Sequence, residues 1–445
     1  MGDVTAESAV VWFRTAGHAQ ARVEWFGAPK SRSEGPSSAQ PMEVHQSPVL
    51  VTTQERDYTA KVRLTGLRSG VHYRYRVVTG RAAGEDGLGQ AIQGAAGRFS
   101  TPPNPNVSQT TTFVWGSDLG GQQRCRRGEA GYAIFDRIRE AKPDFAILLG
   151  DLIYADGACK APPNAFGSDF TATTLEHFRA KHRYQRGAPA LRRFLAGVPV
   201  YVTWDDHEVR NNFSGLHDPL MPDGRQALLE YWPIQVPPED PHRLYRQIRR
   251  GADLELFILD TRQYRSRNAE ADGEDKTMLG VAQRDWLVHG LRESTATWKV
   301  IASSVPLSIP KGGTLLEPGY DGWAKAPDGT GFYTELRGIV DAILQHQIDN
   351  VVWLAADVHF AQVNVYDPDT DGVGDFVEFI GGPLSAYHGT PVPPEPILGP
   401  TTLYTGAGFS NFGLVTATQS SLQVEVIDDK GVSRFKQTFA AQGHR

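Results

Sequence analysis

The 445-residue sequence predicts an all-β sandwich followed by a larger α/β domain. Three observations carry this. Short strands with period-two alternation fill the first hundred or so residues without helical periodicity. A strand–helix–strand succession begins directly after a proline-rich junction. Beyond it, buried apolar runs repeatedly stop at aspartate, as strands of an α/β sheet do when they deliver side chains to one edge.

Residues 1–102 form the first expected domain. SAVVWFRT, ARVEWFG, YTAKVRL and VHYRYRVVTG read as strands separated by Gly, Pro and Ser turns. LTGLRSGVHYRYRVV resembles the loop-plus-strand pattern of fibronectin type III-like domains, which implies a sandwich of that kind. TPPNPN, 101 to 106, reads as a linker, and residues 107–445 as the second domain. There TTFVWGSD, EAGYAIFDRIREA and PDFAILLGD form a βαβ unit whose helix buries Tyr132, Phe135 and Ile138 on one face. Buried strands follow at VPVYVTWDD, DLELFILD, WKVIASS and NVVWLAAD, with helical patterns at 282–293 and 334–346. The length alone favours two domains over one core.

Composition is that of an ordinary globular chain. A formal net charge of -6, a pI near 6.1 and the lack of a basic run set nucleic acid aside as a partner. No apolar run approaches the roughly 20 residues of a spanning helix, so no membrane span is expected. Met1-Gly2-Asp3 opens into a strand-like pattern instead of a basic and apolar leader. If the protein is exported, its signal has been removed or is not included in this sequence. The sequence holds no signal for oligomeric state.

The strand ends raise the chemical question. Asp118, Asp151, the pair Asp205 and Asp206, and Asp357 close four strands. A single acid there is commonly a turn or cap residue. Four such ends at one edge, three with a Tyr, a His or another Asp beside them, repel one another unless a cation neutralises them. A metal site is the economical reading.

GDLIY (150–154), WDDHEVRNN (204–212), LDTRQYR (259–265) and ADVHF (356–360), in that order behind a β-sandwich, resemble the alkaline phosphatase D family of binuclear metallophosphoesterases. The match spans nearly the whole chain. It implies an α/β metallophosphatase domain of two mixed sheets flanked by helices, and hydrolysis of phosphate esters. The residues agree. Asp151 follows a strand and a glycine, so the backbone can turn sharply and both oxygens can bridge two cations. Tyr154 then approaches the same site. Ionising a phenol of pKa about 10 takes a strong Lewis acid, which points to ferric iron, against the plain alternative of a core tyrosine. His359 follows Asp357 by two residues, so on an extended strand both would face one way. WKVIASSVPLS carries no histidine, so the second site looks oxygen-only. Asp151, Asp206 and Asp357, with Asn211 or Asn212, suit Ca²⁺, and the resemblance to a family using iron with calcium agrees.

In WDDHE, Asp206 stands where the wider superfamily has a metal-binding asparagine, which leaves Asp205 as a second ligand or an orienting partner. His207 would bind a phosphate oxygen or protonate the leaving group; holding the loop is its plain alternative. Arg210 and Arg262 could complement phosphate charge or pair structurally. The best-known members of the family carry a cysteine just after the first strand, whereas GSD here places Asp118 there, as the expected replacement iron ligand. Cys125 and Cys159 lie in the loops after two strands of one βαβ unit, so they could come close enough for a disulfide. A metal-bound Cys125 and two free thiols remain the alternatives. A disulfide would imply an extracellular or periplasmic setting.

DPDTDGVGDFVE matches a calcium-loop pattern through Asp367, Asp369, Asp371, Gly372 and Glu378. Its flanks are strands, so an extra structural Ca²⁺ would sit in a hairpin loop; common turn residues are the alternative. The expected function is metal-assisted hydrolysis of small-molecule or lipid phosphate esters, with two cations roughly 3.5 to 4 Å apart activating water. A phospholipase D-like phosphodiesterase uses the same metals. A calcium- or phosphate-binding surface protein is the non-enzymatic alternative.

Overall fold

The computed structural model describes residues 1–28, 43–80, 92–129 and 131–443. The N-terminal part is a small antiparallel β module of strands β1 (Ala9–Arg14), β2 (Ala19–Ala28), β3 (His45–Gln46), β4 (Leu50–Thr52), β5 (Thr59–Leu64), β6 (His72–Gly80) and β7 (Ile92–Ser100). β1 pairs with β5, while β2 pairs with β3, β4 and β6, and β6 with β7. Alternation decides what is buried: Val11 and Phe13 on β1, Val62 and Leu64 on β5, and Tyr73, Tyr75 and Val77 on β6 share one core. This module is tied to the rest of the chain. Gly2 bridges both Val10 and Val200, Trp12 donates to the Glu230 carbonyl at 2.6 Å, and buried Asp57 accepts hydrogen bonds from Arg14, Arg183 and Tyr231.

The α/β part runs β8 (Thr111–Gly116), α1 (Ile134–Glu140), β9 (Phe145–Leu148), α2 (Leu175–Arg186), α3 (Pro189–Gly197), β10 (Val200–Val202) and α4 (Met221–Tyr231). It continues with β11 (Arg246–Arg250), β12 (Leu254–Ile258), α5 (Gly280–Glu293), β13 (Trp298–Ala302), α6 (Tyr333–Gln345), β14 (Val351–Ala355), β15 (Ala361–Tyr366) and β16 (Phe376–Ile380). Four strands close it: β17 (Pro400–Gly406), β18 (Asn411–Ala417), β19 (Ser421–Asp428) and β20 (Ser433–Ala440). Two mixed sheets result, in the orders β10-β9-β8-β18-β19-β20 and β11-β12-β13-β14-β16-β15-β17. They face each other across Phe113, Trp115, Ile147, Val415 and Val424 on one side and Leu256, Val300, Leu354 and Phe379 on the other. Helices α1, α3 and α4 cover the outer face of the first sheet, and α5 and α6 that of the second.

Strands β8, β9 and β10 are mutually parallel, as are β12, β13, β14 and β16. Their carboxyl ends therefore gather the loops that follow them at one edge. α1 begins at Ile134, so Tyr132 precedes the helix, although its ring is buried in the same cluster as Phe135 and Ile138. The segment 356–360 is a bend and not a strand. Asp357 and His359 have φ of 69° and 62°, so the same-face argument for an extended pair does not hold there. Among the described residues no helix is long and apolar enough to cross a membrane.

Candidate metal centre

The gathered loops set a row of buried acids. Oxygen and nitrogen atoms of Asp118, Asp151 and His359 lie within 4.8 Å of one another; so do those of Asp151, Asp206 and His207, and those of Asp205, Asp206 and Asp357. Asp151 belongs to the first two groups and Asp206 to the last two, so the groups form one connected row. Tyr154 reaches it as well: its hydroxyl is 3.1 Å from His359 Nε2 and its ring stacks on His207 at 4.2 Å between centroids. The structure thus brings together Asp118, Asp151, Tyr154, Asp205, Asp206, His207, Asp357 and His359.

Backbone geometry explains how short turns aim these side chains. Asp118, Asp151, Asn212, Asp357 and His359 all have φ between 51° and 69°, the left-handed region that Asn, Asp and His enter more readily than other non-glycine residues. Such residues cluster at functional sites because the surroundings must hold them. Gly150 is needed next to Asp151 for another reason. Its φ is 105°, and a Cβ there would lie 2.3 Å from the Asp205 nitrogen, so the turns after β9 and β10 touch only because this residue has no side chain.

Electrostatics shows what the row lacks. Burial, then the Asp206, Asp205, Glu208 and Asp118 carboxylates, push Asp151 well above the usual carboxylate range. Burial raises Asp205 in the same way despite Arg262, and raises Asp357 to about 6 against the pull of Lys311. Burial would lift Asp206 too, but Lys311, His207 and Arg262 hold it well below the ordinary value. Tyr154 is pushed up by burial and by the acids around it. The row cannot be fully ionised without more positive charge. Both Asp118 oxygens, one oxygen each of Asp151, Asp205, Asp206 and Asp357, Asn212 Oδ1 and His359 Nδ1 are buried without a hydrogen-bond partner in the protein. Buried oxygens left this way are costly, and an oxygen-rich set with a phenol and an imidazole is the donor set that hard cations take. The residues present fit bound metal.

A family model described as PhoD-like phosphatase matches residues 115–405, and one for the N-terminal domain of these phosphatases matches residues 1–103. The chain belongs to the PhoD-like phosphatase family. It is 28% identical over 370 residues to alkaline phosphatase D of Bacillus subtilis (strain 168), an alignment covering 74% of this chain and 58% of that protein. The chain thus matches little more than half the length of this curated relative. A solved structure described as that of PhoD superposes with a TM-score of 0.75 at 22% identity, covering 99% of this chain and 91% of that one. A purple acid phosphatase from yellow lupin (Lupinus luteus) seeds superposes with a TM-score of 0.66 at 14% identity, covering 99% and 73%. These likenesses show the fold, including the separate N-terminal domain.

Within this PhoD-like chain, the remaining expected residues divide. Arg262 is fully buried; its Nε donates to Asp205 at 2.6 Å and its two terminal nitrogens to Asp321 at 2.8 and 2.9 Å. Its fork is occupied, so the phosphate contact expected of it gives way to the pairing alternative. Arg210 is committed likewise, to Asp218 and, at 2.8 Å, to Glu317. Asn211 uses its backbone N–H on Asp156, and Asn212 its own on Asp206. Cys125 and Cys159 are joined as a disulfide with Cα atoms 5.9 Å apart, and neither belongs to the acid row. Asp367, Asp369 and Asp371 form a separate group within 4.8 Å, but Glu378 does not join it. That side chain is buried in β16, where it accepts from Leu307 N at 2.7 Å and Tyr366 at 2.6 Å, because strand pairing holds it inside the sheet.

Three residues at the row escaped the sequence reading. Lys311, on the loop after β13, places Nζ against Asp357, 3.3 Å from Asp321 and 3.6 Å from Asp206. Its loop carries no recognisable motif. Asp156, two residues past Tyr154, lies 2.7 Å from His207 Nδ1; burial is outweighed by the Asp156 and Asp206 charges, and His207 is pushed up to about 9. Asp321 completes the Arg262 pair. Asp156 was visible in GDLIYAD as an acid at fixed spacing from the motif; Lys311 and Asp321 had no local signal.

Proposed function

We propose that the chain hydrolyses phosphate esters with bound metal. The observation that carries this is the connected row of buried carboxylates with unpartnered oxygens at the carboxyl ends of both sheets. Membership of the phosphatase family and the fold shared with an alkaline phosphatase D and a purple acid phosphatase support it. Asp118, Asp151, Tyr154 and His359 would hold ferric iron, the tyrosine as phenolate; Asp151, Asp206 and Asp357, with Asn212 beside them, would hold a calcium-like cation. Two such cations supply Lewis-acid polarisation of the phosphoryl group and a water of lowered pKa.

The protein's own groups would do the rest. Asp156 fixes the His207 ring through Nδ1, leaving Nε2 to donate a proton to the departing oxygen. Asp205, clamped by Arg262, orients Asp206 and lines the second position. Lys311 adds positive charge on the side of Asp206 and Asp357, where phosphoryl oxygens would lie. Hydrolysis on this scheme uses no side-chain nucleophile. Substrates would be small-molecule or lipid phosphate esters. The disulfide supports an oxidising, extracellular or periplasmic setting, and the N-terminal module is read as fibronectin type III-like.

The test is turnover of a chromogenic phosphomonoester and a chromogenic phosphodiester, before and after chelation, with metal content measured alongside. Chelation should abolish turnover, and added metal should restore it. Faster diester turnover would favour the phospholipase D-like reading. Metal-replete protein inert toward both esters would leave only a calcium- or phosphate-binding role.

A further inference from the structure

Glu208 closes the WDDHE stretch, and it lies in none of the grouped metal-binding sets of the row. It is fully buried. Its carboxylate accepts three backbone N–H groups: Asp151 at 3.0 Å and Asp205 at 2.9 Å on Oε2, and Leu152 at 2.7 Å on Oε1. These donors come from two different turns, one after β9 and one after β10. Each turn carries a carboxylate of the row with one buried, unpartnered oxygen, and Asp151 sits at φ 51°, a conformation kept only where the surroundings enforce it. The other Asp151 oxygen is fixed by the His207 N–H at 3.1 Å and the other Asp205 oxygen by Arg262. Side-chain rotation is thus limited from outside, and Glu208 limits the backbone beneath both.

We propose that Glu208 is a positioning residue whose single carboxylate sets the spacing of Asp151 and Asp205, and through them the affinity of the row for cations. The proposal rests on reading that row as the metal site. Charge and shape can be separated. Glu208→Gln has one acceptor oxygen and one NH2 group, so in either orientation the NH2 meets a backbone donor. Glu208→Asp keeps the charge but is shorter by one methylene and cannot span the three N–H groups from the same backbone position. Were charge alone at work, only the first variant would weaken binding.

The experiment strips wild type and both variants with chelator, records thermal unfolding of each, and titrates calcium chloride calorimetrically below the unfolding range. Both variants should bind Ca²⁺ about tenfold or more weakly, the scale on which orienting partners of metal ligands act. After metal loading, kcat on a soluble aryl phosphate should fall by about tenfold or more with KM nearly unchanged. Wild-type Ca²⁺ affinity in folded Glu208→Asp overturns the proposal, even if its unfolding temperature drops. Should Glu208→Gln fail to fold, Glu208→Asp alone decides. Wild type that binds Ca²⁺ but hydrolyses no ester would sink the phosphoesterase reading, while the affinity comparison would still decide the role of Glu208.

Discussion

Breaking the Cys125–Cys159 bond should cost stability and leave the metal centre working. Both half-cystines are buried beside Tyr184, and the segment between them contains α1, β9 and the Asp151 to Tyr154 turn. With a separation of 34 residues, the chain-entropy relation gives about 12 to 13 cal/mol/K, or about 3 to 4 kcal/mol at 25 °C. If all 445 residues unfold as one unit at about 2.1 cal/mol/K each, that lowers Tm by about 4 °C. Cys125→Ala with Cys159→Ala removes the bond without leaving hydroxyls in a dry pocket. Calorimetric unfolding of the double variant beside wild type, without reductant, measures the shift, and ester turnover at 25 °C measures the site. Identical melting, or two titratable thiols in freshly purified wild type, would refute the reasoning. Loss of bound iron in the double variant would show that the bond does more than close a loop.

Three further outcomes follow from the geometry. Iron-loaded protein should show a broad visible charge-transfer absorption that Tyr154→Phe removes; a colourless, iron-replete wild type would assign another ligand or another metal. Asp57 is depressed because hydrogen bonds from Arg14, Tyr231 and Arg183 outweigh its burial. Its contribution is therefore present above its unfolded value, about 3.9, and lost as pH falls through the lower folded value. Asp57→Asn should lower stability at pH 7 by about 2 kcal/mol and flatten the acid limb of a Tm-against-pH profile, and an unchanged limb would contradict this. Asp369→Ala with Asp371→Ala should remove one calcium per chain and lower Tm in calcium buffer while turnover survives. A full wild-type calcium count would make the loop a plain turn.

The architecture was legible wherever period and punctuation agreed. β8, α1 and β9 follow from TTFVWG, the Phe135 and Ile138 spacing and FAILLGD, and the acids at strand ends pointed to one edge because parallel strands end there together. α2 was not legible, since it buries Arg179, Lys181, His182 and Gln185, residues that read as surface in sequence. β17 and β20 gave little signal because they are mostly exposed strands without a strong apolar pattern, whereas β19 alternates buried and part-buried residues and its period was there to be read. At the site, the motifs named the side chains but not their backbone: Asp357 and His359 meet the row through left-handed turns, not through strand alternation. Local sequence leaves both alternatives for Arg262 open, because Asp321, which pairs with its guanidinium, lies 59 residues away. Lys311 was hidden because its partners Asp206 and Asp357 come from strand ends far off in sequence and meet only at the sheet edge.

The account stands on the acid row as a cation site that hydrolyses phosphate esters, and Asp151, like Asp206, belongs to two of its three groups. The decisive measurement is metal content by mass spectrometry together with phosphomonoester and phosphodiester turnover, for wild type and Asp151→Asn purified side by side. The substitution keeps the shape of the side chain while removing the charge shared by two groups of ligands. The account predicts wild type with bound metal and turnover on at least one ester, and a folded Asp151→Asn that has lost both metals and all measurable turnover. Wild-type metal content in Asp151→Asn, or its turnover within a few fold of wild type, would contradict it.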